Sequence, residues 1–241
     1  MQRHRFYAPP AQITNAIITL DNDESHHLAR VLRLPPGAVV FAFDGEGNEY
    51  ECEIAQVNKS KTELNVIAQL SNEVESPLQL TLGQALIKSD KFDWVVQKAT
   101  ELGVTRIVPL ITEHSEFRKA DGHEQRLQRW RRIALEGTKQ CGRRKLPEIS
   151  DVQNFQQFCE QQTAGQRLIF SERGGSGIAS LSGTTSVSIA IGPEGGWSKA
   201  ETDLANNQGF IALSLGNRIL RTETAALAAL ALVQYQLGDL P

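Results

Sequence analysis

Cysteine is scarce: Cys52, Cys141 and Cys159 are odd in number, widely spaced and free of any C-x-x-C pair. They support neither a disulfide framework nor a cysteine zinc site. No apolar run reaches membrane-spanning length; the richest, Ala225 to Val233, is short and continues into Gln234 and Gln236. Met1-Gln2-Arg3-His4-Arg5 has no apolar core of the kind a secretory signal needs, so a cytoplasmic protein is expected. A G-x-G-x-x-G fingerprint is missing, which disfavours an ordinary dinucleotide fold. Gly83 to Ser89 faintly resembles a phosphate-binding loop, but Ile87 stands where its second glycine must be. His26 and His27 are adjacent and project about 100° apart, and no carboxylate or cysteine lies at ligand spacing, so no metal is expected.

What is present describes a globular chain. With 241 residues, 40% hydrophobic and 22% charged, it can form one large or two modest domains, each with its own core. The net charge of -3 does not mark a nucleic-acid binder, but it is unevenly spread. Between Arg118 and Lys145, ten Lys/Arg stand against Asp121, Glu124 and Glu136, a local +7 that leaves -10 elsewhere. Such a run is often a solvated helix face. Here it continues through a glycine-containing loop, Gln140 to Lys145, and Arg131, Arg132, Arg143 and Arg144 suit bidentate phosphate contact. An RNA-facing strip is the expectation.

Residues 1–72 read as β-rich. Ile13 to Leu20, Ala38 to Phe43, Tyr50 to Val57 and Glu63 to Leu70 are strand candidates, with a hairpin turn at Asp44 to Asn48. Short strands joined by tight turns predict a small barrel. One helix, Glu24 to Leu34, interrupts them; Asp23 is its expected N-cap, and Leu28, Val31 and Leu32 are its expected inward face. Arg30 lies on another face of that helix, and Arg3-His4-Arg5-Phe6-Tyr7 mixes cations and aromatics as single-stranded RNA contacts do. Asn72 to Pro77 is the expected linker. Residues 73–241 then alternate strands and helices, the pattern of an α/β domain. Ser89 is expected to cap a helix ending at Gly103, a basic helix spans Gly122 to Lys139, and another runs from Val152 to Gln161. The loop Gly174 to Gly177 follows a strand at Gln166 to Phe170.

Two strand-loop-helix elbows dominate the C-terminal part. The first is Ile191-Gly192-Pro193-Glu194-Gly195-Gly196-Trp197, followed by Ser198-Lys199-Ala200-Glu201, a capping-box pattern. The second runs from Leu213 through Gly216 and Arg218-Ile219-Leu220-Arg221-Thr222-Glu223 into an Ala/Leu helix ending at Leu237. Parallel strands put such loops on one edge of a sheet, where glycines let a ligand approach the backbone.

IGPEGGW with LGNRILRTETA resembles the signature of the RsmE family, SPOUT-class enzymes that methylate N3 of a uridine in 16S ribosomal RNA. Lys88-x-x-Lys91-x-Asp93 and Gln97 to Val104 extend the resemblance over the whole chain. It implies a PUA-like β-barrel RNA-binding domain at 1–72 and a SPOUT methyltransferase domain at 73–241 with a deep trefoil knot. It also implies S-adenosylmethionine as cofactor, a homodimer, and 16S rRNA, within the small ribosomal subunit, as partner. The cofactor residues implied are Gly192, Glu194, Gly195, Gly196, Leu215, Gly216, Ile219, Leu220 and Arg221. Uridine N3 carries a weakly acidic proton, so the enzyme must remove it or stabilise the anion. Arg221 is the first expected catalytic residue, as a fixed cation, with Glu194 second and Glu223 third as proton acceptors. The alternatives are a SPOUT enzyme acting on another RNA or position, and a non-catalytic RNA-binding protein of ribosome assembly.

Overall fold

The computed structural model describes residues 3–58, 60–71, 75–115, 123–172, 175–177, 181 and 183–240. Residues 72–74 of the expected linker, the start of the basic run at 118–122, and Gly174 lie outside the described residues. The chain divides into two compact units, Met1–Glu75 with Thr138–Leu146, and Ser76–Gly137 with Pro147–Pro241.

The first unit contains β1 (Arg5–Tyr7), β2 (Ile13–Thr14), β3 (Ile17–Thr19), α1 (Asn22–His26), β4 (Val39–Phe43), β5 (Glu49–Gln56) and β6 (Glu63–Leu70). They form one curled sheet in the order β1-β4-β5-β6-β3-β2, around Phe6, Ile18, Leu28, Val40, Ile54 and Leu64. Among the described residues β1 and β2 are its two edges and do not pair, so the expected barrel is an open curl. The strand expected over Ile13 to Leu20 is instead a hairpin, because Asn15 and Ala16 take left-handed φ values of 50° and 63°. Paired positive φ values match the twist of a two-residue hairpin. The cap of α1 is Asp21, not Asp23: its carboxylate accepts from the Glu24 backbone N–H at 2.9 Å. Beyond His26 the helix widens into a π-helical turn, His27–Leu32, stopped by Arg33 at φ 53°. That change of winding leaves Leu28 buried but turns Val31 outward, 64% exposed, against the expected inward face.

The second unit holds β7 (Gln79–Ala85), α2 (Ser89–Glu101), β8 (Arg106–Ile111), α3 (His123–Cys141), whose last residues from Thr138 belong to the first unit, β9 (Glu148–Ile149), β10 (Gln153–Asn154) and α4 (Phe155–Gln161). There follow β11 (Gln166–Phe170), β12 (Ser176–Gly177), β13 (Ser186–Ile191), α5 (Lys199–Asn207), β14 (Ile211–Ser214) and α6 (Thr222–Leu237). All eight strands are parallel, in the order β10-β8-β7-β13-β11-β14-β12 with β9 beside β8. A parallel sheet is buried on both faces, and alternate residues serve two cores. Ile107, Leu168 and Ile189 face a core shared with Phe92 of α2, Trp130 of α3 and Leu230 of α6. Val108, Ile169 and Ala190 face the opposite core, with Phe158 of α4 and Ala205 of α5.

The helix starts follow local chemistry. Ser198 and Glu201 form a reciprocal capping box at α5, and Asn154 with Gln157 does the same at α4. The helix expected from Val152 therefore begins at Phe155, after its cap. Ser89 does not cap α2; Lys88 holds that position without a side-chain bond, and Ser89 is the first helical residue.

Candidate active site

The two glycine elbows leave the C-terminal ends of β13 and β14, and the sheet order places β11 between those strands. The crevice therefore spans three strand ends. Phe170, Ser171 and Glu172 from the end of β11 join Ile191 to Trp197, Ser214 to Gly216 and Arg218 to Thr222 around a cavity of about 470 Å³. That size lies within the range of small-molecule sites, and Ala225 of α6 closes one side. Every residue expected to hold a cofactor lines this cavity: Gly192, Glu194, Gly195, Gly196, Leu215, Gly216, Ile219, Leu220 and Arg221.

Its walls are fixed by hydrogen bonds to backbone carbonyls. Trp197 Nε1 donates to Phe170 O at 2.8 Å, tying the first elbow to the end of β11. The Thr222 hydroxyl donates to Gly192 O, and Gln84 Nε2 donates to Thr222 Oγ1 at 3.3 Å and to Ala85 O at 3.1 Å. Gln84 is fully buried on β7, so a strand that contributes no residue to the lining holds the first turn of α6 against the first elbow. His114 Nδ1 bonds Gly196 O at 3.1 Å. The same histidine explains Gly195: a Cβ there would stand 2.8 Å from His114 Cβ. Gly196 at φ 69° and Gly216 at φ 103° need glycine for their backbone, and the space beside each is open. These two open positions on facing loops give a flat ligand access to main-chain groups of both walls. The residues present thus fit an adenine-bearing molecule.

The charged groups are asymmetric. Glu194 is bound by Lys91 Nζ of α2 at 3.0 Å, and Glu223 Oε2 lies 3.9 Å from the same ammonium. The Glu194 carboxylate that it hydrogen-bonds raises the Lys91 pKa; desolvation and the nearby Arg221 work against this, while the charges of Glu194 and Glu223 add to it. Glu223 Oε2 is buried and accepts no hydrogen bond. Arg221 is exposed at the cavity, in extended conformation as the N-cap of α6, at the positive end of that helix. The sequence reading named these three residues; the lysine that joins two of them it quoted only as part of a motif. Phe170, Ser171 and Glu172 it missed, because only the non-sequential strand order brings them beside the elbows.

Of the residues expected to meet RNA, Arg3, Arg30, Arg131 and Arg132 are exposed. Arg3 lies over the Phe41 ring at 4.1 Å, and Arg131 is 3.8 Å from Asp151. Arg5, Arg143 and Arg144, also expected to meet RNA, have side chains only 7%, 7% and 5% exposed and are paired internally. Arg5 Nε meets Glu49 at 2.7 Å while its other nitrogens donate to the carbonyls of Thr138, Lys139 and Arg143. Arg143 pairs with Glu75 at 3.0 Å, and Arg144 with Glu49 at 3.2 Å. All three guanidinium groups neutralise internal carboxylates, and that of Arg5 also caps the carbonyls at the end of α3.

Comparison with known proteins agrees with this geometry. Residues 74–234 match the family described as RNA methyltransferase domain, and residues 20–67 the RNA methyltransferase PUA domain. Ribosomal RNA small subunit methyltransferase E of Bacillus subtilis is 32% identical, covering 98% of this chain and 97% of its own. The protein of that name from Synechocystis is 34% identical over 95% of this chain and 76% of its own. Among solved structures, a putative methyltransferase of Legionella pneumophila in complex with S-adenosylmethionine superposes with a TM-score of 0.92 at 32% identity over all of both chains. Ribosomal RNA small subunit methyltransferase E of Neisseria gonorrhoeae, bound to S-adenosyl methionine, gives 0.90 at 33% identity, again over all of both chains. A cavity built on three parallel strand ends, full-length likeness to these proteins and a PUA match in the first unit lead to one statement: the chain belongs to the ribosomal RNA small subunit methyltransferase E family.

Proposed function

We propose that this protein uses S-adenosylmethionine to methylate N3 of a uridine in the 16S RNA of the small ribosomal subunit, in the cytoplasm. The observation that carries the reading is the cavity of about 470 Å³ between two glycine elbows, with an exposed arginine at its lip. Gly192, Gly195 and Gly196 form one wall, Leu215 and Gly216 the other, and Ile219 and Leu220 shield the bound adenine. Ile219 is 76% exposed, an apolar side chain standing open for such a ligand. S-adenosylmethionine supplies an electrophilic methyl group: the N3–C bond forms as the S–C bond breaks, and the N3 proton passes to water. The protein contributes position and charge. Arg221, helped by the N-terminus of α6, offsets negative charge on the uracil carbonyl oxygens as N3 loses its proton.

Two architectural features complete the proposal. The elbows pass through a trefoil knot, a reading supported by the strand order β13-β11-β14, in which the later elbow reaches across β11. The protein acts as a homodimer, supported by Leu232 and Tyr235 standing 39% and 65% exposed on the otherwise apolar α6. The division into an RNA-binding domain at 1–72 and a methyltransferase domain at 73–241 belongs to the same reading.

The test is calorimetry with S-adenosylmethionine, then single-turnover methylation of small-subunit RNA and particles with mass mapping of the product. Binding followed by an N3-methylated uridine supports the proposal. Cofactor binding with methylation of another RNA or atom would reassign the substrate. RNA binding without cofactor binding would return the protein to a ribosome-assembly role.

A further inference from the structure

Arg218 and Arg221 are both exposed cations in the lining of the cavity, and Arg221 shares its surroundings with two carboxylates that act with it on Lys91, Glu194 in the first elbow and Glu223 two residues after Arg221. Left alone, either would form an ion pair with a guanidinium, a favoured bidentate partner of carboxylates. That pairing would quench the cation the reaction uses. The structure contains a competing cation from a different element. Lys91, on the third residue of α2, reaches Glu194 at 3.0 Å and lies 3.9 Å from Glu223. The side chains of Glu194, Lys91 and Glu223 are 37%, 26% and 14% exposed, so the cluster runs from the surface at Glu194 to a shielded end at Glu223. Arg221, by contrast, makes no ion pair among the described residues.

We propose that Lys91 is a positioning residue which holds Glu194 and Glu223 in one ion-paired cluster and thereby keeps the Arg221 guanidinium free for the negative charge of the substrate. The inference rests on the reading of Arg221 given above. It changes the roles of the two acidic residues: their carboxylates are held by Lys91 as structural counter-charges, and neither faces the uracil as an unpaired base. The partners come from three places in the chain, the start of α2, the first elbow and the first turn of α6, so the cluster also joins the two loops that must enclose one ligand.

The experiment uses the full chain and four variants: Lys91→Met, Lys91→Arg, Lys91→Met with Glu194→Gln, and Arg221→Met. Two quantities are read. One is the single-turnover methylation rate with both substrates saturating. The other needs no activity: the rate at which phenylglyoxal modifies Arg221, located by peptide mass mapping. Lys91→Met is expected to slow methylation about tenfold and to slow Arg221 modification, while S-adenosylmethionine affinity changes by less than about twofold. Glu194→Gln in the Lys91→Met background should recover part of both rates, because Glu223 stays charged, and Lys91→Arg should stay near wild type in both. Unchanged Arg221 modification in Lys91→Met overturns the proposal. So does a joint loss of cofactor binding and rate that Glu194→Gln does not relieve, since it would mark a collapsed pocket. If Arg221→Met methylates at the wild-type rate, the reading of Arg221 as the catalytic cation fails, whereas the modification series still decides whether Lys91 keeps it unpaired.

Discussion

At Gly196 the backbone sits at φ 69° with open space where a side chain would project, so two separate costs fall on one substitution. Gly196→Val forces a β-branched residue into a left-handed conformation, about 1–2 kcal/mol, and fills volume that the ligand needs. The expected outcome is a folded protein with slightly reduced stability and no measurable S-adenosylmethionine binding by calorimetry; wild-type affinity would remove Gly196 from the site. The buried arginines behave differently. Arg144→Met leaves Glu49 with Arg5 alone, and urea unfolding should show a loss of the order of 3 kcal/mol, the low end for a broken buried pair. Neutralising the exposed Arg131 and Arg132 should leave stability nearly unchanged but flatten the salt dependence of RNA binding, with cofactor affinity unaffected. An unchanged salt slope would make this pair an ordinary solvated face. Cys52 and Cys159 complete the residue scale. Burial pushes both thiols up to about 12, which keeps them protonated and unreactive in the folded protein at neutral pH.

Among the elements, Gly83 of β7 shows how closely helix and sheet approach. A Cβ at this position would lie 2.5 Å from Cζ of Phe158, a ring of α4 with no exposed surface. Gly83→Ala should therefore destabilise by about 1–3 kcal/mol in urea unfolding, since neither backbone nor ring has room to yield. A neutral result would show that α4 can shift on the sheet. Legibility in the sequence follows the same local logic. Gln166–Phe170, Glu63–Leu70 and the α5 capping box were readable because alternation and S-x-x-E chemistry act over a few residues. The glycine elbows, and the residues that line the cavity between them, were readable through a long motif. The π-helical turn at His27–Leu32 was not, because its first residues have an ordinary helical pattern. Nor were the buried roles of Arg5, Arg143 and Arg144: a charge run looks the same whether its partners are phosphates or carboxylates distant in sequence. The lining by Phe170 to Glu172 depends on strand order, which no local pattern records.

For the whole molecule, the proposed dimer predicts twice the monomer mass of 26.6 kDa by light scattering at micromolar concentration, and a monomer would remove that part of the reading. No helix among the described residues is long and apolar enough to cross a membrane. The first unit is assembled from two separated pieces of chain, Met1–Glu75 and Thr138–Leu146, and the second piece brings the cations that neutralise Glu49 and Glu75. Synthesis on the ribosome runs in one direction, so a nascent chain that has reached residue 75 holds every strand of the curled sheet but neither Arg143 nor Arg144. At about 5–20 residues per second, several seconds pass before those arginines are made. During that interval Glu49 can meet Arg5 alone, and Glu75 waits for its counter-ion. The N-terminal unit of an enzyme proposed to act on ribosomal RNA thus has its last ion pairs made only after Ser76–Gly137 of the other unit has been translated.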